Sequence, residues 1–535
     1  MTWPNPSSRS EDPPEGGAEL LHRNVIASLF LIAAIALTFL FRAQTRGFLP
    51  GHHGYQTALA LSMAKNLDAR HHFLMFTRKN LDAQGKERLS PHNRLPAGMF
   101  VLLAGLLSFC HDDPAAEIDA GRLLMLCFFC GSLVVSFLLV ARLTGSAMVA
   151  AGATLLAFSS TYMQYYDDMV FNDIPVLFAF LLLLLGIVRC EKDGKRGLVY
   201  LATFLAIGLG WQGFAPLIAW GALRLIPLLI SRGRSLADRS RDLLRHPSTR
   251  ALVAGALWGA SLLAWNLFNE KAALNAPFAD LPSARSIFFR VGLSGGVEEY
   301  PQYPELAWSR FLPGQARRLM KATLPTRPLH ARIARWSDHA GGIGKALAAI
   351  GAVGALACLL AWFFLKAREA RLLWGVVATS GFFWTIPMRN FTPFHDFQSV
   401  FYIGLVLVFF TAMLSMVPSR MLPIGAGVAL AVYAFSSHDL NAMKRQAGMA
   451  GESRVRDCAA LRQSLGHDRK VQVGADAQEF ASELVQMRYY LAGNYFADPA
   501  VADFLLTTKR DFAPQTLTPR NQGLFLFRLE ARWQR

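Results

Sequence analysis

Charge is scarce in this sequence. Only 17% of its 535 residues are Asp, Glu, Lys or Arg, against about 25% in soluble globular domains, which argues against a wholly soluble chain. Cysteine is scarce too. Five of the six, Cys110, Cys127, Cys130, Cys190 and Cys358, sit in apolar runs, and Cys458 stands alone in a polar stretch. Neither a disulfide framework nor a zinc-ligand spacing is present. There is no glycine period, and a hydrophobic share of 53% excludes a disordered or collagen-like chain. No repeat of about 20–50 residues is visible. Glycine-rich nucleotide loops, GxSxG, HExxH and paired CxxC motifs are all missing.

What the chain has in quantity is long apolar runs. Residues 1–22 are polar and rich in Pro, Ser, Gly and Glu, and are expected to form a disordered cytoplasmic tail. The run 25–41 is followed by Arg42 and lacks a small-residue cleavage site, so it reads as a retained membrane anchor rather than a signal peptide. Further runs fall at 123–141, 147–163, 174–188, 198–210, 214–230, 251–268, 346–365, 372–388, 400–416 and 421–435, with Trp211-Gln212-Gly213 as a break. Several are shorter than the ~20 residues of a straight span and must extend into polar neighbours. The segment 95–110 is apolar but short, flanked by Pro96 and His111-Asp112-Asp113.

Loop charge places that segment. Basic loops at 189–196 (four Lys/Arg), 232–250 (six) and 366–371 (three), together with Arg420, fall on one side. They match a cytoplasmic N-terminus only if 95–110 is an interfacial or re-entrant helix. The expected fold class is therefore a polytopic α-helical membrane bundle of about eleven spans over residues 23–437. The alternative has about twelve crossings and an external N-terminus. External loops are expected at 42–122 and 269–345. The second carries mixed basic and apolar residues near Trp308 and Gln315, suited either to a headgroup-level helix or to a solvated loop. Residues 438–535 are expected to form a small extracytoplasmic α/β domain, with strands at 471–474, 503–508 and 524–528 and a helix over 477–491. The basic loops account for the net charge of +17, so no nucleic-acid partner is expected. The implied location is a bacterial inner (plasma) membrane, with the N-terminus cytoplasmic and the C-terminus outside. No cytoplasmic stretch is large enough for a nucleotide-binding domain.

Polar residues cluster at the external span ends. Gly51-His52-His53-Gly54-Tyr55 follows the first run, and either histidine could act as a base near neutral pH or simply sit in a polar turn. Tyr165-Tyr166-Asp167-Asp168 precedes Asn172-Asp173-Ile174-Pro175. Carboxylates at a bundle mouth need water, a cation or a substrate. Asp173 can alternatively be a helix cap, which leaves Asp167 and Asp168 unexplained. His92-Asn93-Arg94-Leu95-Pro96 places Arg94 where its planar fork could grip a phosphate or snorkel to a headgroup. Arg389 to Gln398 adds a further cation and the pair His395-Asp396.

The order of these elements across 25–440 resembles the GT-C superfamily of membrane glycosyltransferases. That group includes the protein O-mannosyltransferases of glycosyltransferase family 39 and the aminoarabinose transferases that modify lipid A. The motif before Tyr55, the element Arg94-Leu95-Pro96, the Arg122-led span, Asn172-Asp173-Ile174-Pro175, the break Trp211-Gln212-Gly213 and Phe394-His395-Asp396-Phe397 each have a counterpart there. The resemblance implies transfer of a sugar from a polyprenyl-phosphate donor to an extracytoplasmic glycan, lipid or protein, with inversion. Asp173 matches the family's second-loop carboxylate. Arg94 matches the basic residue that contacts the lipid phosphate, with His92, Arg389 and His395 as further donor contacts. Tyr55, Tyr166 and Asp396 are expected near the sugar or acceptor. One departure stands out: Gly51, His52 and His53 occupy the place of the family's first-loop acid. Either a histidine takes the proton (His53 or His52), or a second-loop acid does (Asp168 or Asp167), or the chain binds the carrier without turnover. No metal is required for a monophosphate leaving group, although the Asp-rich loop leaves a divalent cation open. The rival class is a lipid-carrier flippase or transporter.

Overall fold

The computed structural model describes residues 17–42, 48–49, 52–67, 75–92, 95–230, 241, 244–291, 307–323, 363, 366, 368–390, 395–473, 489, 494–498, 500–507 and 525–528. In chain order the first half comprises α1 (Gly17–Arg42), α2 (His52–Lys65), β1 (Phe76–Leu81), β2 (Glu87–Pro91), α3 (Gly98–Leu107), α4 (Pro114–Thr144), α5 (Ala147–Phe158), α6 (Thr161–Tyr166), α7 (Asp173–Asp193), α8 (Gly197–Leu209) and α9 (Phe214–Ile230). The second half comprises α10 (Pro247–Leu274), α11 (Pro282–Arg290), α12 (Trp308–Thr323), α13 (Arg368–Thr379), α14 (Phe382–Thr385), α15 (Ile403–Ser415), α16 (Leu422–Leu465), β3 (Lys470–Val473), β4 (Tyr495–Ala497), β5 (Phe504–Thr507) and β6 (Phe525–Arg528). Short 3-10 turns at Trp211–Gly213 and Asp396–Tyr402 interrupt the bundle.

The helix ends follow from local chemistry. Asp113 caps α4 by accepting from the Ala115 N–H, Pro114 occupies the first turn, and Gly145 closes the helix with φ +75°, a conformation that costs glycine little. Ser146 then caps α5 and Ser160 caps α6. Among the described residues, six segments are long and apolar enough to cross a membrane: Leu21–Arg42, Pro114–Thr144, Asp173–Asp193, Pro247–Leu274, Phe397–Ser415 and Ser419–Ala447. Their outer faces remain apolar. Leu29 and Ile32 on α1, Leu257 and Phe268 on α10, and Ile424 and Val428 on α16 are exposed, as expected of faces turned to lipid tails. Inside, α4, α5, α7 and the 3-10 turn that leads into α15 bury a continuous set that includes Phe129, Phe158, Phe180 and Phe401.

At ten residues, α3 rises only about 15 Å, half a hydrocarbon core. It buries Met99, Phe100 and Leu103 while exposing Val101 and Leu102, the division expected of a helix lying at the bundle surface.

The polar region outside the bundle differs from the sequence reading in composition. A six-stranded sheet runs β2-β1-β4-β3-β5-β6, so two of its strands come from the first loop. β1 pairs antiparallel with β2 and parallel with β4, and β5 pairs antiparallel with β6. Asp82 closes the β1–β2 turn by accepting from the N–H groups of Gln84 and Lys86. The expected strands near 471, 503 and 524 appear as β3, β5 and β6. The expected helix over 477–491 lies outside the described residues apart from Tyr489, and the expected run 346–365 lies outside them except Phe363. Helix α1 starts at Gly17, within the stretch expected to be a tail. Helix α16 passes through the expected boundary at 438 without a break and reaches Leu465.

Candidate functional site

Where α2, the end of β2, the α6–α7 loop and the two 3-10 turns converge, they enclose a cavity of about 100 Å³. Its aromatic wall comprises Tyr55, Phe171, Trp211, Trp384 and Phe397, and its polar wall is built of the carboxamides Gln56, Asn172, Gln212 and Gln398. His92, His395 and Arg290 complete the lining. Flat aromatic faces alternating with carboxamides suit a ligand with apolar C–H faces and many hydroxyls.

Asp173 lies directly behind this wall. Its Oδ1 accepts from Gln398 Nε2 at 2.5 Å and from Gln212 Nε2 at 3.2 Å, and Gln398 Oε1 in turn accepts from Trp384 Nε1 at 2.7 Å. Asp173 is the first residue of α7, and Asn172 before it makes no side-chain cap. The carboxylate therefore sits at the positive end of the helix dipole. Asp173 Oδ2 has no hydrogen-bond partner among the described residues, and neither do Gln212 Oε1, Gln56 Oε1 or either amide atom of Asn172. Each such buried group costs about 1–3 kcal/mol, so a cluster of them at one cavity marks a place arranged for a polar ligand. Gly210 makes the convergence feasible. A Cβ there would lie 2.5 Å from Gln212 Oε1 and 3.1 Å from Asn172 Nδ2.

A second cluster adjoins the first through the other face of α2. Lys444 Nζ donates to Asp167 Oδ1 at 2.7 Å and to Asp168 Oδ1 at 2.6 Å. Arg42 Nε donates to Asp167 Oδ2 at 2.6 Å, and its Nη2 donates to Gln164. His53 Nε2 lies 2.9 Å from Asp168 Oδ1, and Arg122 Nε lies 4.0 Å from Asp168 Oδ2. All of these side chains are buried. Burial alone would raise the Asp168 carboxyl, but Lys444, His53 and Arg122 together hold it well below the usual carboxylate range. Burial pushes the His53 imidazole down to about 4, against the pull of Asp168. At neutral pH a neutral His53 therefore gives its Nε2–H to an ionised Asp168. This assigns the tautomer from its partner and leaves Nδ1 as a buried acceptor without a partner among the described residues.

The structure thus divides the sequence-derived residues into groups. Tyr55, His92 and His395 line the cavity and Asp173 backs it. Asp167, Asp168 and His53 form the ion cluster, with Tyr166 between the two sites at 6.0 Å from Phe397 and 6.5 Å from His53 by ring centroids. Arg389 instead lies over the Trp308 ring at 5.1 Å, outside the cavity lining. Arg94 and the side chains of His52 and Asp396 lie outside the described residues. Among those residues no three His, Cys, Asp or Glu side chains gather as metal ligands. The sequence reading missed Arg290, the last residue of α11, which brings a cation from the second loop. It also missed Lys444 and Arg42, whose pairing with the aspartates no local pattern reveals. The one available signal was the apolar-basic ending Ile287-Phe288-Phe289-Arg290, the same mixture noted at Trp308.

No protein-family model matches this chain, and no curated protein matches it significantly. Solved structures do. ArnT from Cupriavidus metallidurans bound to undecaprenyl phosphate superposes with a TM-score of 0.55 at 13% identity, covering 88% of this chain and 85% of that one. The same protein in its apo state gives a TM-score of 0.51 at 14% identity over the same shares. The likeness covers 88% of this chain, which accordingly has the fold of these structures, a GT-C-like helical bundle.

Proposed function

We propose that the chain transfers a sugar from a polyprenyl-phosphate carrier to an acceptor hydroxyl on the extracytoplasmic side of a bacterial inner membrane. The observation that carries this reading is Asp173, a buried carboxylate with Oδ1 fixed by two carboxamides and Oδ2 left open, behind a cavity walled by aromatics and amides. In the proposed reaction Asp173 Oδ2 takes the acceptor proton as general base. The acceptor oxygen bonds to the anomeric carbon from one face. The bond from that carbon to the carrier phosphate oxygen breaks on the other, and the phosphate leaves with the electron pair. Inversion follows.

Arg290 and His92, both lining the cavity, are positioned to offset charge growing on the leaving phosphate, and Arg290 also acts electrostatically on Asp173. No metal is needed for this step. The Asp167–Asp168–Lys444 cluster would serve as a positioning element, because its oxygens are already spent on cations. ArnT bound to undecaprenyl phosphate supports a carrier of that class here.

The test is a transfer assay on protein reconstituted in lipid, with a panel of radiolabelled polyprenyl-phosphate sugars and an envelope acceptor extract. Asp173→Asn is expected to lower kcat at least 100-fold with carrier binding retained. Full turnover in that variant would remove Asp173 from the chemistry. Binding of carrier without transfer by the unaltered chain would favour the carrier-binding reading instead.

A further inference from the structure

Asn172 stands where a carboxamide weakens the fold. It is buried, it lines the cavity, and it directly precedes α7. Asn at that position usually caps a helix, yet this side chain caps nothing. Its main-chain carbonyl accepts from the Val176 N–H at 2.9 Å, a bond that any residue could make. Neither Nδ2 nor Oδ1 has a hydrogen-bond partner among the described residues. Turning the amide over would exchange the two atoms and leave both unpaired, so the observation does not depend on how the amide is assigned. An apolar side chain of the same size would be less costly here. The cost is offset only when a ligand pairs both ends.

Gln212 adds a further acceptor, and its bonds fix which atom that is. Trp384 Nε1, which can only donate, bonds Gln398 Oε1 at 2.7 Å, and this turns Gln398 Nε2 to Asp173 Oδ1. Gln212 Nε2 lies 3.2 Å from Asp173 Oδ1 and 3.3 Å from Gln398 Oε1. Both of those atoms are acceptors, so the atom facing them is the amide nitrogen and the unpartnered one is oxygen. A single point, where a Cβ on Gly210 would stand, is 2.5 Å from that oxygen and 3.1 Å from Asn172 Nδ2. The open groups of the two side chains therefore sit side by side.

The chemistry that satisfies Asn172 is narrow. An ammonium only donates and a carboxylate or phosphate only accepts, so each leaves one end of the amide unpaired. A trans N-acyl group carries its N–H and C=O on opposite sides and cannot meet both ends at once. A hydroxyl donates and accepts, and two hydroxyls on adjacent ring carbons can meet the two amide atoms together. An ammonium beside a hydroxyl would make the same two bonds, but it would add a cation to a cavity already lined by Arg290.

We propose that Asn172 is a specificity-determining residue of the donor site, and that its carboxamide holds two adjacent free hydroxyls of a neutral sugar. The inference rests on the reading of this cavity as the place of a carrier-linked sugar, and it names the class of that sugar.

The test measures binding as well as turnover. Farnesyl-phosphate-linked glucose, mannose and galactose would be titrated by calorimetry into the purified chain in detergent, with farnesyl phosphate as the reference. The tightest of the three would then be compared with its 2-, 3-, 4- and 6-deoxy forms. Removing either of two adjacent hydroxyls is expected to weaken binding to the intact chain at least tenfold. Asn172→Leu should bind the parent sugar at least tenfold more weakly and should no longer distinguish it from those two deoxy forms. Its unfolding midpoint should hold or rise, because a buried unpaired amide has been removed. Four outcomes would overturn the proposal: sugars bound no tighter than farnesyl phosphate, sensitive hydroxyls that are not adjacent, deoxy losses that persist undiminished in Asn172→Leu, and a lowered midpoint in both Asn172→Leu and Asn172→Ala, which would mark a structural role. Transfer from the same donors separates the two readings. Diol-dependent binding without transfer supports this subsite and sets aside the proposed reaction, whereas transfer that ignores both the diol and Asn172 overturns the subsite and leaves the reaction standing.

Discussion

At the scale of single residues, Lys444 carries an unusual share of the structure. Its ammonium bonds both Asp167 and Asp168, and all three side chains are buried. A buried ion pair is costly to assemble and more costly to break, because removing one partner strands the other without water. Lys444→Met is therefore expected to destabilise the chain by about 3–5 kcal/mol, read as a lowered unfolding midpoint in detergent. Adding Asp168→Asn should recover part of that loss, since the stranded charge goes with it. His53 sets a pH dependence of definite sign. Its folded value near 4 lies below the ~6.5 of an unfolded histidine, so between those values the unfolded chain binds a proton that the folded chain does not. Stability is then complete above pH ~6.5 and falls as the pH drops towards 4, by roughly 3 kcal/mol over the whole window. His53→Gln should flatten that part of the stability–pH curve. An unchanged slope would mean that His53 is not held neutral in the folded state.

At the scale of elements, α2 joins the two polar clusters. One face brings His53 to Asp168 and Thr57 Oγ1 to the Val170 N–H at 3.2 Å, and another brings Tyr55 and Gln56 to the cavity. Its placement depends on Gly54, where a Cβ would lie 1.8 Å from the Leu49 carbonyl oxygen. Gly54→Ala must push the helix off the preceding chain. A displacement of about 1 Å at a reacting site costs roughly 100-fold in rate, so kcat should fall by about that factor while the purified variant still folds. The long apolar helices were legible in the sequence because period and length carry the signal there. The β1–β2 hairpin was not legible. Phe76-Thr77-Arg78-Lys79-Asn80-Leu81 has no apolar alternation, and these residues become a strand by pairing with β2 and with β4, whose sequence lies more than 400 residues away. Short polar strands of this kind are set by their partners rather than by their own propensity.

At the scale of the whole molecule, the same distinction governs the site. Asp173, Tyr55, His92 and His395 were legible because each sits in a short polar motif at the end of an apolar run. Arg290, Lys444 and Arg42 were not, because their partners are set by the packing of the bundle. Long-range packing also ties the site to the outer sheet. Glu117 on α4 is buried and held by Lys65 of α2, by Arg462 Nη1 of α16 at 3.2 Å and by Tyr489 Oη at 2.5 Å. Helices α2 and α16 are thus bridged twice, through His53, Asp168 and Lys444 near the cavity and through Lys65, Glu117 and Arg462 about five helical turns further along α16. The sheet supported at the second bridge includes β1, and the chain leaving its partner β2 bonds the His92 N–H to the Met75 carbonyl at 2.7 Å, which fixes His92 at the cavity. Tyr489→Phe removes one hydrogen bond to a buried carboxylate, a loss of about 1.5–3 kcal/mol, without touching the cavity lining. If the sheet holds His92 in place, this variant should show faster proteolysis beyond residue 466 and a raised KM for the carrier-linked sugar, with kcat changed less. Faster proteolysis with KM unchanged would show that the outer sheet is anchored at Glu117 but does not position the donor site.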